Sequence, residues 1–142
     1  GAVGGSRDPL APLGFLRSAA MPGEHVAFER VKTTTELDAR LAAADRPVML
    51  DFYADWCVSC KEMEKYTFPD ARVAVKMRRM ILVQVDVSAN GHAATALLRG
   101  FNLLGPPGII FFDPAGKEIA GARVVGYRPA DRFLKVLEAV GR

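Results

Sequence analysis

Cysteine is scarce in this chain: its 142 residues carry only Cys57 and Cys60, and histidine is as rare, with His25 and His92 alone. A disulfide-stapled scaffold uses more cysteines at wider spacing. A structural zinc site normally takes four ligands, and neither histidine stands at ligand spacing from the cysteines or from the other. Haem attachment needs a histidine directly after the second cysteine, where this chain has Lys61. No long hydrophobic run is present either. The longest uncharged stretch, Gly100–Phe112, contains Pro106 and Pro107 and falls short of the roughly 18 apolar residues that a membrane span requires. Residues 1–23 do not show the basic, apolar, small-residue order of a secretory signal, so the expectation is a soluble chain, mature or cut from a longer one. Charge of one sign is also missing: 19 basic and 16 acidic residues leave a net +3, a weak field for a surface of this size. The densest basic spot, Lys76, Arg78 and Arg79, has no aromatic platform and no nucleic-acid motif around it, so it reads as a solvated helix face.

What is present is the composition of a folded domain, half hydrophobic and a quarter charged, at a length that points to one domain. Residues 1–23 hold five glycines and three prolines without a period. They read as a linker or tail reaching to residue 25, with the domain over 26–142. From there strand-like and helix-like segments alternate. Val26–Val31 is a short strand candidate. Thr33 with Glu36 three residues later forms a capping box, opening a helix whose buried face carries Leu37, Leu41 and Ala44. Val48–Tyr53 is a near-continuous apolar run of strand length, as in a strand covered on both faces. A helix follows from about Cys57 to Phe68-Pro69, and a second amphipathic stretch runs from Asp70 to Met80. Ile81–Val87 reads as another buried strand, and Asn90 as the cap of a helix ending near Gly100. Gly108–Phe112, the turn Asp113–Gly116 and Arg123–Tyr127 suggest an antiparallel hairpin, and Ala130–Val140 a last helix buried through Phe133, Leu137 and Val140. The order β-α-β-α-α-β-α-β-β-α predicts an α/β fold with a central mixed β-sheet flanked by helices.

Trp56-Cys57-Val58-Ser59-Cys60 carries the chemistry. A Cys-x-x-Cys after a buried strand and at the head of a helix brings two sulfurs within bridging distance. The free N–H groups and the macrodipole of that helix end stabilise a thiolate on the first cysteine. Cys57 is thus expected to be the exposed nucleophile and Cys60, one turn deeper, the resolving thiol that breaks the mixed disulfide. Two buried inert cysteines, or half of a metal site, are the bland alternative. Asp51, six residues before Cys57, sits inside an apolar strand where an ionised carboxylate is costly. Glu64, four residues after Cys60, is expected to share a helix face with both cysteines. Negative charge there raises thiol pKa values, and either acid can take the Cys60 proton when that thiol attacks. Structural pairing of Asp51 and simple solvation of Glu64 remain the alternatives. Trp56 can pack over the disulfide and shape a partner surface, or be a plain half-buried aromatic. An X-Pro bond before a strand can be cis, and beside a dithiol the backbone at Pro106-Pro107 can pair with an extended segment of a partner. His25 and His92 read as surface or loop residues, and Met49, Met63, Met77 and Met80 as core.

Residues 48–140, with Asp51, Trp56-Cys57-x-x-Cys60 and the later Pro107 in matching order, resemble a thioredoxin-fold domain. More narrowly, the run Val48–Phe68, with Val58-Ser59 between the cysteines and Glu64-Lys65-Tyr66-Thr67-Phe68 behind them, together with Val85–Asn90, resembles the C-terminal periplasmic domains of the DsbD family of bacterial thiol:disulfide interchange proteins. The resemblance covers about four-fifths of the chain. It implies a protein-disulfide reductase that works without a dissociable cofactor or a metal, its electrons travelling in the Cys57–Cys60 pair. The implied partners are protein domains met through transient mixed disulfides: a membrane-embedded domain as donor and an N-terminal periplasmic domain as acceptor, itself the reductant of isomerases and cytochrome c maturation factors. A monomer in the periplasm is expected, tethered by residues 1–25 to an inner-membrane protein, with no insertion of this fragment into the membrane. Asp51 and Glu64 match the family's active-site acids and Pro107 its cis-proline. Gly108 and Pro106 depart from the family's usual threonine and aliphatic residue. A free-standing periplasmic thioredoxin-like protein and a non-catalytic binding module with structural cysteines are the competing readings.

Overall fold

A computed structural model describes residues 26–89 and 91–141. Five strands form one sheet: β1 (Glu29–Arg30), β2 (Val48–Tyr53), β3 (Ile81–Asp86), β4 (Gly108–Phe112) and β5 (Val124–Val125), in the order β1-β3-β2-β4-β5. The helices are α1 (Thr34–Ala42), α2 (Val58–Glu62), α3 (Ala71–Met77), α4 (His92–Gly100) and α5 (Ala130–Val140). A π-helical turn over Met63–Thr67 continues α2. β1 and β2 both run parallel to β3, whereas β4 pairs antiparallel with β2 and β5 antiparallel with β4. This is the mixed, helix-flanked sheet that the order of elements predicts.

The central strand β2 is buried along its whole length, which is why its sequence shows no apolar–polar alternation. Its two faces meet two cores. Val48, Leu50 and Phe52 pack with Val83, Val85 and Leu97 on one side. Met49 packs with Met63, Met77, Phe111 and Phe133 on the other. The π turn is tied down at its end, where the buried Thr67 hydroxyl donates to the Arg128 carbonyl at 2.5 Å. The capping box at α1 forms with its return contact one residue early: Thr33 Oγ1 accepts from Glu36 N at 3.1 Å, and Glu36 Oε1 accepts from Lys32 N at 2.6 Å.

Two local expectations need correction. The first strand is confined to Glu29–Arg30, because it has a single neighbour, β3, while Val26 and Phe28 pack into the helix-covered core instead of pairing. The last strand shrinks from Arg123–Tyr127 to Val124–Val125. Gly126 turns out of the sheet at φ 85°, and the Arg123 guanidinium goes to Glu118 and the Phe101 carbonyl. α4 is entered through Gly91, and the Asn90 cap lies outside the described residues.

Candidate active site

β2 and β3 are parallel and in register from Val48↔Ile81 to Tyr53↔Asp86, and β4 runs back so that Gly108 stands opposite Phe52. The chain therefore leaves β2 towards Cys57, leaves β3 towards Ser88 and enters β4 from Pro107 at one edge of the sheet. Cys57 is the N-cap of α2, its Sγ accepting from Cys60 N at 3.1 Å. It is bonded to Cys60 in a disulfide with the two Cα atoms 5.2 Å apart. The Cys60 sulfur lies 4.0 Å from the Phe52 carbonyl oxygen. Cys57 is not the exposed partner expected from its position: it is 5% accessible and Cys60 4%. Cys57 caps the helix, so its side chain turns back over the first turn instead of outward, and both sulfurs join the core beside Phe52 and Ala54.

The surroundings are apolar and open. Trp56, at 58% exposure, and Val58 project to solvent on either side of Cys57, and Trp56 Nε1 donates to the Ser88 carbonyl at 3.1 Å. The Pro106–Pro107 bond is cis. Pro107 is buried and its carbonyl accepts from Gly126 N at 3.1 Å, so β5 holds that corner. At Gly108 a Cβ would stand 2.9 Å from Leu103 Cδ1: the buried Leu103 side chain occupies the space that a larger residue would need.

Asp51 is 5% accessible, on the face of β2 that it shares with Met49 and against which Met63 of the π turn packs. Burial raises its carboxyl from 3.8 to about 7, against a hydrogen bond from Gln84 that lowers it; the negative charge of Glu64 raises it further and the positive charge of Arg30 lowers it. Gln84 Nε2 donates to Asp51 Oδ2 at 2.9 Å. Glu64 itself is exposed while Met63 and Thr67 are buried, so the π turn sends its side chain away from the burial that the cysteines share. It acts on Asp51 through charge. Lys61 turns to the Tyr53 hydroxyl, which donates to Asp55 Oδ1 at 2.8 Å. Among the described residues no three acidic, cysteine or histidine side chains gather as a metal site. His92 is an exposed first residue of α4, and His25 lies outside the described residues.

The residues that sequence reasoning missed are Gln84 and Arg30. Gln84 was visible as the one polar residue within Ile81–Val85. Only the pairing Asp51↔Gln84 and Arg30↔Gln84 shows that the three form a row across the sheet.

This geometry is shared with known proteins. A family model described as a thioredoxin-like domain matches residues 36–141. The thiol:disulfide interchange protein DsbD of Ralstonia nicotianae is 51% identical over 144 residues, a match that takes in 96% of this chain and 24% of that protein. The chain thus spans about a quarter of the length of this curated relative. Among solved structures, a thioredoxin from Thermus thermophilus aligns with a TM-score of 0.65 at 27% identity, over 81% of this chain and 88% of that one. The oxidised DsbD C-terminal domain of Neisseria meningitidis aligns with a TM-score of 0.66 at 36% identity, over 79% of this chain and 99% of that one. Since the alignment accounts for nearly all of that domain, the chain belongs to the thioredoxin-like family, among the C-terminal domains of DsbD.

Proposed function

We propose that this chain is a protein-disulfide reductase domain, passing electron pairs to other protein domains by dithiol–disulfide exchange. The observation that carries the proposal is the Cys57–Cys60 disulfide at the head of α2, directly after the strand that holds a buried carboxyl raised to about 7. In the reduced chain the Cys57 thiolate attacks one sulfur of a partner disulfide, and the other partner sulfur leaves as a thiolate and takes a proton. Cys60 then gives its proton to the Asp51 carboxylate and attacks Cys57 Sγ. The mixed disulfide breaks, and the partner leaves fully reduced with two electrons and two protons gained. A carboxyl poised at about 7 suits this exchange, being able to accept and return a proton at neutral pH. Glu64 tunes it by charge. Trp56 and the cis Pro106-Pro107 corner would receive the partner segment beside the sulfurs.

The likeness to full-length DsbD supports the wider assignment. The donor would be a membrane-embedded domain of the same protein, the acceptor its N-terminal periplasmic domain, and the setting the periplasm. The match over 96% of the chain reaches well into residues 1–25, supporting the reading of that segment as the tether. Trp56 is the chain's one tryptophan and precedes Cys57, so its fluorescence reports the redox state. A titration in glutathione or dithiothreitol buffers is expected to give a potential of roughly −200 to −270 mV, in the range of glutaredoxins and thioredoxin. A value near the roughly −120 mV of a strong oxidant would reverse the direction of transfer. Disulfide reduction that survived Cys57→Ser would remove the proposed chemistry altogether.

A further inference from the structure

Arg30 lies far from the cysteines in sequence, yet it completes the row that reaches Asp51. Its Nε donates to Gln84 Oε1 at 2.6 Å, and Gln84 Nε2 donates to Asp51 Oδ2 at 2.9 Å. A guanidinium has no acceptor, so it can hold only the oxygen of the amide. The NH2 of Gln84 must then face Asp51. We propose that Arg30 is a positioning residue for the dithiol reaction: by fixing the Gln84 amide it makes Asp51 Oδ2 a permanent acceptor and leaves Oδ1 as the atom that takes and returns the proton. A reversed amide would offer Oε1 to Asp51, which only the protonated acid can satisfy. Without Arg30 the carboxyl becomes a weaker acid and holds its proton to higher pH.

The second arm of Arg30 connects the row to the disulfide turn. NH1 donates to Asp86 Oδ2 at 3.0 Å, and Asp86 Oδ1 accepts from Ser88 N at 2.9 Å and from the Ser88 hydroxyl. Ser88 Oγ in turn accepts from Asp55 N at 2.8 Å, and the Ser88 carbonyl accepts from Trp56 Nε1 at 3.1 Å. The guanidinium also lies 5.5 Å from the centroid of the Tyr53 ring, a cation–π placement. One side chain of β1 thus braces both the partner of Asp51 and the turn that carries Trp56 and Cys57. The groups bearing on Asp51 are Arg30 from β1, Gln84 from β3 and Glu64 from the π turn. β4 sets the apolar Ile109 opposite it, and Lys61 is engaged with the Tyr53 hydroxyl.

The inference rests on the reading of Asp51 as acceptor of the Cys60 proton, and the test separates the two. The Asp51 carboxyl carbon is titrated by NMR in the oxidised chain. In the reduced chain the reaction with oxidised glutathione is followed by Trp56 fluorescence across pH. Arg30→Met and Gln84→Met are each expected to raise the Asp51 midpoint, by about three-fold or more in proton affinity, and to move the acid limb of the rate profile with it. The double variant is expected to shift no further than Gln84→Met alone, as for residues acting through one another. Arg30→Lys, which keeps the charge and loses the fork, is expected to restore only part of the shift. An unmoved midpoint in Arg30→Met overturns the proposal, as does an equal further shift in the Gln84→Met background, which would make Arg30 a remote charge only. A rate profile indifferent to Asp51→Asn overturns the proton-acceptor reading instead, while the carboxyl titration still decides the orientation of the amide.

Discussion

Asp51 is the residue whose cost and use are most clearly opposed. Its carboxyl stands at about 7 in the folded chain against 3.8 ordinarily. Between those pH values the folded chain holds a proton that the unfolded chain has released. Stability therefore falls as pH rises through that window, and the whole cost is present above it. A carboxyl displaced from 3.8 to about 7 costs on the order of a few kcal/mol once ionised. Asp51→Asn removes the titration and can keep the bond from Gln84. The oxidised variant is expected to be more stable than the parent by about 2–4 kcal/mol at pH 9 and nearly equal to it at pH 4, as read by urea denaturation. An equal difference at both pH values would mean that ionisation of Asp51 carries no such cost. Glu64 marks the contrast at the same scale: its spacing from Cys60 was plain in the sequence, while its exposure depends on the π turn.

At the scale of elements, the entry to β4 shows how one small residue is matched to its neighbour. The DsbD resemblance leads to threonine after the cis-proline, and this chain has Gly108. Buried Leu103 stands where the missing Cβ would be, at 2.9 Å. Gly108 also faces Phe52 on one side and Val125 on the other, so the strand itself has little room to move aside. Gly108→Thr in this chain is expected to cost about 1–3 kcal/mol through overpacking. Combined with Leu103→Ala, it is expected to cost clearly less than the two single changes added together. Thermal or urea denaturation of the four chains checks the coupling, and additivity would show that the two residues do not compete for space. The hairpin, the cap at Thr33 and the bounds of α5 were readable because each rests on residues adjacent in the chain. The lengths of β1 and β5 were not, since a strand extends only as far as its neighbour pairs with it.

For the whole molecule, the sheet separates two cores, and α5 closes the one beneath the π turn. Phe133 is fully buried, with ring centroids 5.7 Å from Phe68 and 6.4 Å from Phe111. It thereby joins the last helix to the segment after the π turn and to β4. Phe133→Ala is expected to destabilise the chain by about 3–5 kcal/mol, measured by urea denaturation. The disulfide potential should move little, because the cysteines pack in the opposite core with Phe52 and Ala54. A large change in potential would show that the two cores act as one unit.

The sequence by itself determined the alternation of elements, the buried character of β2 and the Cys-x-x-Cys at a helix head. It also marked Asp51 as a carboxylate in an apolar strand. Each of these is written in local spacing and in the cost of burying charge. Tertiary structure alone decided that Asp51 meets Gln84 and that Arg30 meets Gln84, because strand register links residues 33 and 54 positions apart. It also decided that both cysteines are buried and that Glu64 acts from the surface. Burial is a property of what packs against a residue, and no spacing along the chain contains it.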